Sequence, residues 1–282
     1  MSTAKRQATT KSGHRRIRNV GGGRRQVEAP ALPSISSDES ISIADRVYEA
    51  LSEGLMSGAI MPGGSLTSRS LSLALGVSPT PVREALKRLQ ADGAVESRSK
   101  SAFYVNDPNV EEYQQILELR LATEGLAIRK ATKQARPSDL ELIRSLNREY
   151  GKSLRAGGQG ARKSLVANFR FHFAIYRLSR SPVLMKVIAA TWLRIGPALH
   201  HHLRNLRDVE PGLDTHNEII AALEAGDADA AEAALRKDLT EAAELIYPSL
   251  RAAGGVRSAS QAVRNSEGEP RQPWSKWGLL PI

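Results

Sequence analysis

Gly63-Gly64-Ser65-Leu66-Thr67-Ser68-Arg69-Ser70-Leu71-Ser72-Leu73-Ala74-Leu75-Gly76-Val77-Ser78-Pro79-Thr80-Pro81-Val82-Arg83-Glu84-Ala85-Leu86 is the run from which the fold is read. Leu71 and Leu75 stand four apart, on one face of a helix. Gly76 ends that helix as a C-terminal glycine does. Ser78 or Thr80 caps a second helix. Pro79 and Pro81 fall in its first turn, where amide hydrogens have no helical partner to lose. Val82, Leu86 and Leu89 form its buried stripe, while Arg83, Lys87 and Gln90 lie on another face. Two short helices joined by a glycine turn, the second carrying outward cations, make a helix-turn-helix.

Working outward, Ser40 or Ser42 caps an earlier helix near 43–57 with the stripe Ile43, Val47, Leu51 and Leu55. Downstream of Asp92-Gly93, Val95 and the Phe103-Tyr104-Val105 run flank a polar span holding Arg98 and Lys100. This predicts two short strands around a loop, the wing of a winged helix. Asp107-Pro108 punctuates the chain, so a DNA-binding domain is expected over 41–106. The periodicity beyond it predicts helices near 110–133, 137–155, 161–179, 182–205, 213–225 and 228–253. The expected fold is mostly α: an N-terminal winged helix-turn-helix, then an all-α bundle of six or seven helices over 107–254.

The chain has 282 residues, no cysteine and a net charge of +10. The absence of cysteine excludes disulfides and thiolate metal sites and fits a cytoplasmic protein. There is no run of about 18 apolar residues, so no membrane span is expected. Half of the charge excess sits in residues 1–40, which hold eight Lys or Arg against three Asp or Glu. That tail is too polar to repay the entropy of ordering and is read as disordered. It either adds sequence-independent attraction to phosphates or contributes solubility alone. Residues 255–282 read as a flexible C-terminal tail, although Trp274 and Trp277 are odd in one.

The chain resembles the GntR family of bacterial transcription regulators. Pro62-Gly63, Leu66 and Leu71 through Leu86 follow the family's helix-turn-helix signature, and the segment from Thr80 to Leu86 is unbroken. The helical part resembles the FCD ligand-binding domain of the FadR-type branch, in its VanR-like subgroup. The resemblance implies a homodimeric regulator, not an enzyme. Its partners would be a palindromic double-stranded DNA operator and a small organic acid in the helical domain; a repressor is the expected type. By carry-over, Arg69, Ser78, Thr80, Arg83, Arg88, Arg98 and Lys100 are the DNA-binding set. Arg83 is expected to read a base, because a guanidinium bonds guanine O6 and N7 together. Arg69, Arg88 and Arg98 are expected to clamp phosphates. Two residues depart from the family: Pro79 stands for its arginine and Ser101 for its wing glycine.

The resemblance also implies a sensor site. Asn168 and His172, four apart on one helix, match the family's D-x-x-F-H, and His216 and Asp238 match two later histidines. Asn168, His172, His216 and Asp238 would hold one divalent ion, with Zn, Ni, Mn and Mg all compatible. The alternative is a polar cavity in which the same residues hydrogen-bond an effector or water. Arg120, with Asn168, His172 and His216, is expected to bind the effector, its fork suiting a carboxylate. The competing reading is an Arg120–Glu124 pair on a solvated helix face. His200, His201 and His202 cannot all chelate one ion and are expected at the surface or the cavity rim. Two rival readings are a metal-dependent hydrolase and an architectural DNA protein. The first lacks a marked general base, and the second leaves the helical domain unexplained.

Overall fold

A computed structural model describes residues 32–99, 102–156, 160–201 and 211–261. The chain begins with α1 (Ile43–Met56), β1 (Ser65–Thr67), α2 (Ser68–Leu75), α3 (Pro79–Ala91), β2 (Val95–Ser99) and β3 (Ala102–Val105). Ser42 caps α1, accepting from Asp45 N at 3.1 Å. Gly76 takes the left-handed conformation (φ 67°) that ends α2. Ser78 occupies the N-cap of α3, but its hydroxyl caps nothing. Val47, Leu51, Leu55, Val82, Leu86 and Leu89 are fully buried and pack α3 against α1. Ile43, expected in that stripe, is about half exposed.

The wing forms as expected, with β2 and β3 antiparallel and a bulge between Ser97 and Ser99. The sequence reading missed β1, which pairs with β3 (Leu66 opposite Phe103) and gives the order β1-β3-β2. Three residues ending at a helix cap are too few to show alternation. Residues 32–40, read as part of a disordered tail, are a correction: Leu32 and Ile35 pack on the winged core, and Arg46 donates to Ser36 O. Residues 1–31, Lys100, Ser101, His202 and both tail tryptophans lie outside the described residues.

The second part comprises α4 (Val110–Thr132), α5 (Pro137–Arg155), α6 (Ala161–Arg177), α7 (Pro182–Ile195) with a 3-10 turn at Gly196–Ala198, α8 (Pro211–Ala225) and α9 (Ala228–Gln261). Pro starts α3, α5 and α7, where its fixed φ fits and no amide hydrogen bond is lost. The bundle core runs through Tyr113, Ile128, Phe171, Tyr176, Ile188 and Trp192. Helix α9 continues past 254, where a flexible tail was expected to begin. By length and composition Pro182–His201 could cross a membrane. Several of its large residues are instead buried, Ile188, Trp192 and Ile195 in the bundle and Leu193 in the winged core, while Val183 and Val187 are exposed.

Candidate functional site

The recognition surface follows from α3. Its apolar stripe is buried on α1, so Ser78, Thr80, Arg83 and Lys87 are exposed on the remaining faces, with Arg69 exposed on α2. Pro79 and Pro81 remove two amide donors from the first turn, leaving phosphate contact there mainly to side chains. Arg88 does not join this face. It pairs with Asp45 of α1 (2.5 Å) and lies 4.0 Å above the Tyr48 ring, which corrects its expected place among the phosphate clamps. Arg98 falls on β2.

Within the bundle, α4, α5, α6, α7, α8 and α9 surround a narrow cavity of about 40 Å³, room for an ion or a few waters. Arg120, Asn168, His172, Thr215 and Asp238 line it, with Leu165, Trp192 and Leu199 on its apolar side. His172, His216 and Asp238 are buried, with ligand atoms all within 4.8 Å of one another. His172 Nε2 lies 3.4 Å from Asp238 Oδ2, and His216 Nε2 lies 3.7 Å from Asp238 Oδ1. Thr215 donates to Asp238 Oδ1 at 2.6 Å. Asn168 is half-buried one turn before His172 and faces the same space.

Burial sets the charge states. It pushes the His216 imidazole down to about 3 and the Asp238 carboxyl up to about 7. His172 is held well below its ordinary range by burial, with the His216 and Arg120 charges adding to it. Both imidazoles are therefore neutral at pH 7, as metal ligation requires. His216 Nε2 has no hydrogen-bond partner among the described residues. An orphaned buried lone pair beside a carboxylate fits a cation.

Arg120 and Glu124 do pair, as the competing reading had it, but inside the protein and not on a solvated face. Arg120 donates to Glu124 through Nε (2.7 Å) and Nη2 (3.3 Å), and both side chains are buried. Tyr176 Oη (2.5 Å) and Trp192 Nε1 (2.9 Å) also donate to Glu124. Sequence reasoning missed Tyr176, Trp192, Thr215 and Asn147. Only Tyr176 carried a signal, standing four residues after His172 on the helix face that Asn168 begins.

His200 and His201 are also corrected, since they join the two parts of the molecule. His200 Nε2 donates to Gly58 O after α1, and His201 Nε2 donates to Asp107 Oδ1 (3.0 Å) between β3 and α4. Nearby, the backbones of the two parts touch. A Cβ on Gly196 would come within 2.7 Å of Met56 Cα and Met56 O. One on Gly58 would meet Leu165 Cδ1 at 2.8 Å.

Comparison with known proteins agrees with this architecture. Residues 43–105 match the family described as bacterial regulatory proteins, gntR family, and residues 115–241 match the FCD domain. The chain is 28% identical over 219 residues to the HTH-type transcriptional regulator McbR of Escherichia coli, covering 77% of this chain and 98% of McbR. A solved structure of E. coli McbR/YncC superposes with a TM-score of 0.69 at 28% identity, over 74% of this chain and 99% of that one. The probable D-xylose utilization operon transcriptional repressor of Paenarthrobacter nicotinovorans is 27% identical over 78% of this chain and 95% of its own. An uncharacterized HTH-type regulator from the TAR-I ttuE-ttuC' intergenic region of Agrobacterium vitis is 30% identical over 41% of this chain and 68% of its own.

Proposed function

Since the chain belongs to the GntR family and joins that family's DNA-binding module to an FCD domain, we propose that this transcription regulator is a metabolite-responsive repressor. Its ligand is a small carboxylate held in the helical cavity, and it acts in the cytoplasm as a homodimer. Arg83 reads a base edge from α3, while Arg69 and the Ser78 and Thr80 hydroxyls hold phosphates. Two copies meet two half-sites about one DNA turn apart. Leu119 and Leu126 on α4 and Val183 and Val187 on α7 are exposed on helices that pack together, and they are the face assigned to the second copy.

In the cavity, His172 Nε2, His216 Nε2 and Asp238 would hold one divalent ion, with Asn168 on the same wall. Two imidazoles and a carboxylate suit a first-row ion such as Zn²⁺ or Ni²⁺. Such an ion would supply positive charge for an effector carboxylate. Arg120 orients within the cavity wall, because its guanidinium is already bonded to Glu124.

One observation carries the coupling of the two parts. The segment from Trp192 to His201 alternates between them: Trp192 and Leu199 wall the cavity. Between and beside those two, Leu193 is buried in the winged core, Gly196 abuts Met56, and His200 bonds Gly58. A change in cavity occupancy therefore reaches the winged domain through packed backbone. A coupling of about 1–3 kcal/mol suffices for regulation. Selection from random oligonucleotides, with and without Zn²⁺ and candidate acids, tests the reading. A palindromic site whose affinity responds to ligand is expected, and sequence-blind binding would refute it. Elemental analysis of protein purified without an affinity tag tests the metal.

A further inference from the structure

The hydrogen bonds behind the two buried imidazoles decide which ring nitrogen carries the proton. Tyr176 has one hydroxyl hydrogen, and it goes to Glu124 Oε2 at 2.5 Å. Glu124 cannot return it, because that carboxylate is already an acceptor from Arg120 Nε, Arg120 Nη2 and Trp192 Nε1. The Tyr176 oxygen therefore offers only lone pairs to His172 Nδ1, 3.2 Å away. That nitrogen must be the donor.

His216 reaches the same state by another route. Its ring stacks on Phe171 with centroids 3.9 Å apart, which fixes its plane. Asn147 Nδ2 donates to Asn217 Oδ1 at 2.8 Å and so turns its own carbonyl toward His216 Nδ1, 3.1 Å away. An amide oxygen only accepts, so this Nδ1 is again the donor.

We propose that Tyr176, backed by Glu124, and Asn147 are positioning residues that hold His172 and His216 as Nδ1–H tautomers, so that both Nε2 lone pairs converge on Asp238 before any ligand enters. Both Nε2 lone pairs then face the Asp238 carboxyl across a space that fits a cation. Its consequence for metal affinity rests on the metal reading given above, whereas the tautomers stand apart from it. Outer partners that set imidazole orientation and tautomer typically govern about 10–100-fold in metal affinity.

The test uses full-length protein carrying ¹⁵N-labelled histidine, metal-free and near neutral pH. Two-bond proton–nitrogen correlation should show Nδ1–H at both His172 and His216. Tyr176→Phe and Asn147→Leu should each disturb the tautomer of its own histidine and weaken Zn²⁺ binding about 10–100-fold, with the fold intact by circular dichroism. Asn147→Asp keeps an acceptor oxygen and should keep His216 in its Nδ1–H form, whereas Asn147→Leu keeps similar volume without the acceptor; a purely packing role would leave the tautomer unchanged in both. An Nε2–H signal at either histidine of the unsubstituted protein overturns the proposal. So does an unchanged tautomer and affinity in both Tyr176→Phe and Asn147→Leu. Two Nδ1–H tautomers without stoichiometric Zn²⁺ would uphold the positioning roles and refute the metal reading.

Discussion

Titrating Zn²⁺ into the protein across a pH series probes the three-ligand cluster through the protons it gives up. A metal displaces only protons that its ligands hold. With His216 near 3 and His172 well below its ordinary range, neither imidazole carries a second proton in mildly acidic solution. Asp238, raised to about 7, does carry one below neutrality. One proton should therefore leave per Zn²⁺ bound around pH 6, and apparent affinity should fall tenfold per pH unit below neutrality. From a plateau near pH 8.5 to about pH 5.5 the loss is about 30-fold. Exposed ligands would behave differently: two ordinary imidazoles near 6.5 and an ionised Asp would lose about 100-fold over that range, with a slope approaching two. Calorimetry in buffers of differing ionisation enthalpy counts the protons directly. Release approaching two would show that the imidazoles are charged in the apo protein; release of none would show that Asp238 is ionised there. Either result refutes the burial argument. Asp238→Asn should bind Zn²⁺ more weakly and remove the pH dependence.

The apo protein should show the matching trend in stability. Asp238, raised on folding, contributes stability that is lost as pH rises through about 7, whereas the lowered histidines contribute stability that is lost as pH falls below about 6.5. Subtracting Asp238→Asn from wild type cancels the histidines, so the difference in stability should fall by about 1.4 kcal/mol per pH unit from pH 5 toward 7 and level off above it; a difference that is flat or rises from pH 5 to 7 would count against the raised carboxyl. Arg83→Ala should reduce discrimination between selected operator and random DNA by about 1–3 kcal/mol in competition binding, while Arg88→Ala leaves discrimination intact. Gly196→Ala forces backbone apart at Met56; Zn²⁺ binding should persist, the operator's response to Zn²⁺ should vanish, and a single calorimetric transition should split in two. Glu124→Ala leaves a buried guanidinium without its carboxylate and should cost about 3–5 kcal/mol in urea denaturation.

Much of the fold is legible because its signals are local. Leu71 and Leu75, Gly76, Pro79 and the Val82–Leu86–Leu89 stripe specify helix, turn and helix within about twenty residues, through backbone sterics and a 3.6-residue period. The same period places Asn168 and His172 on one face. Strand β1 escapes this logic, since its three residues become a strand only by pairing with β3, some 37 positions later.

The charged residues divide along the same line. Arg69, Arg83 and Arg88 look alike in sequence, and all three sit in one DNA-binding motif. Asp45 and Tyr48 of α1 engage Arg88 in an ion pair and a ring contact, and no local pattern announces that contact. Likewise the i,i+4 spacing of Arg120 and Glu124 fixes that they meet, but not that Tyr176 and Trp192 close over them and bury the pair. The sequence alone determined the helices, their order and the residue types offered to DNA and to the cavity, because each follows from torsional preference and periodicity along the chain. Only the tertiary structure decided which cations stay free, which ring nitrogens face Asp238, and that His200 and His201 tie the two parts together. Those outcomes depend on solvent exclusion and on partners far apart in the chain, which packing alone brings within reach.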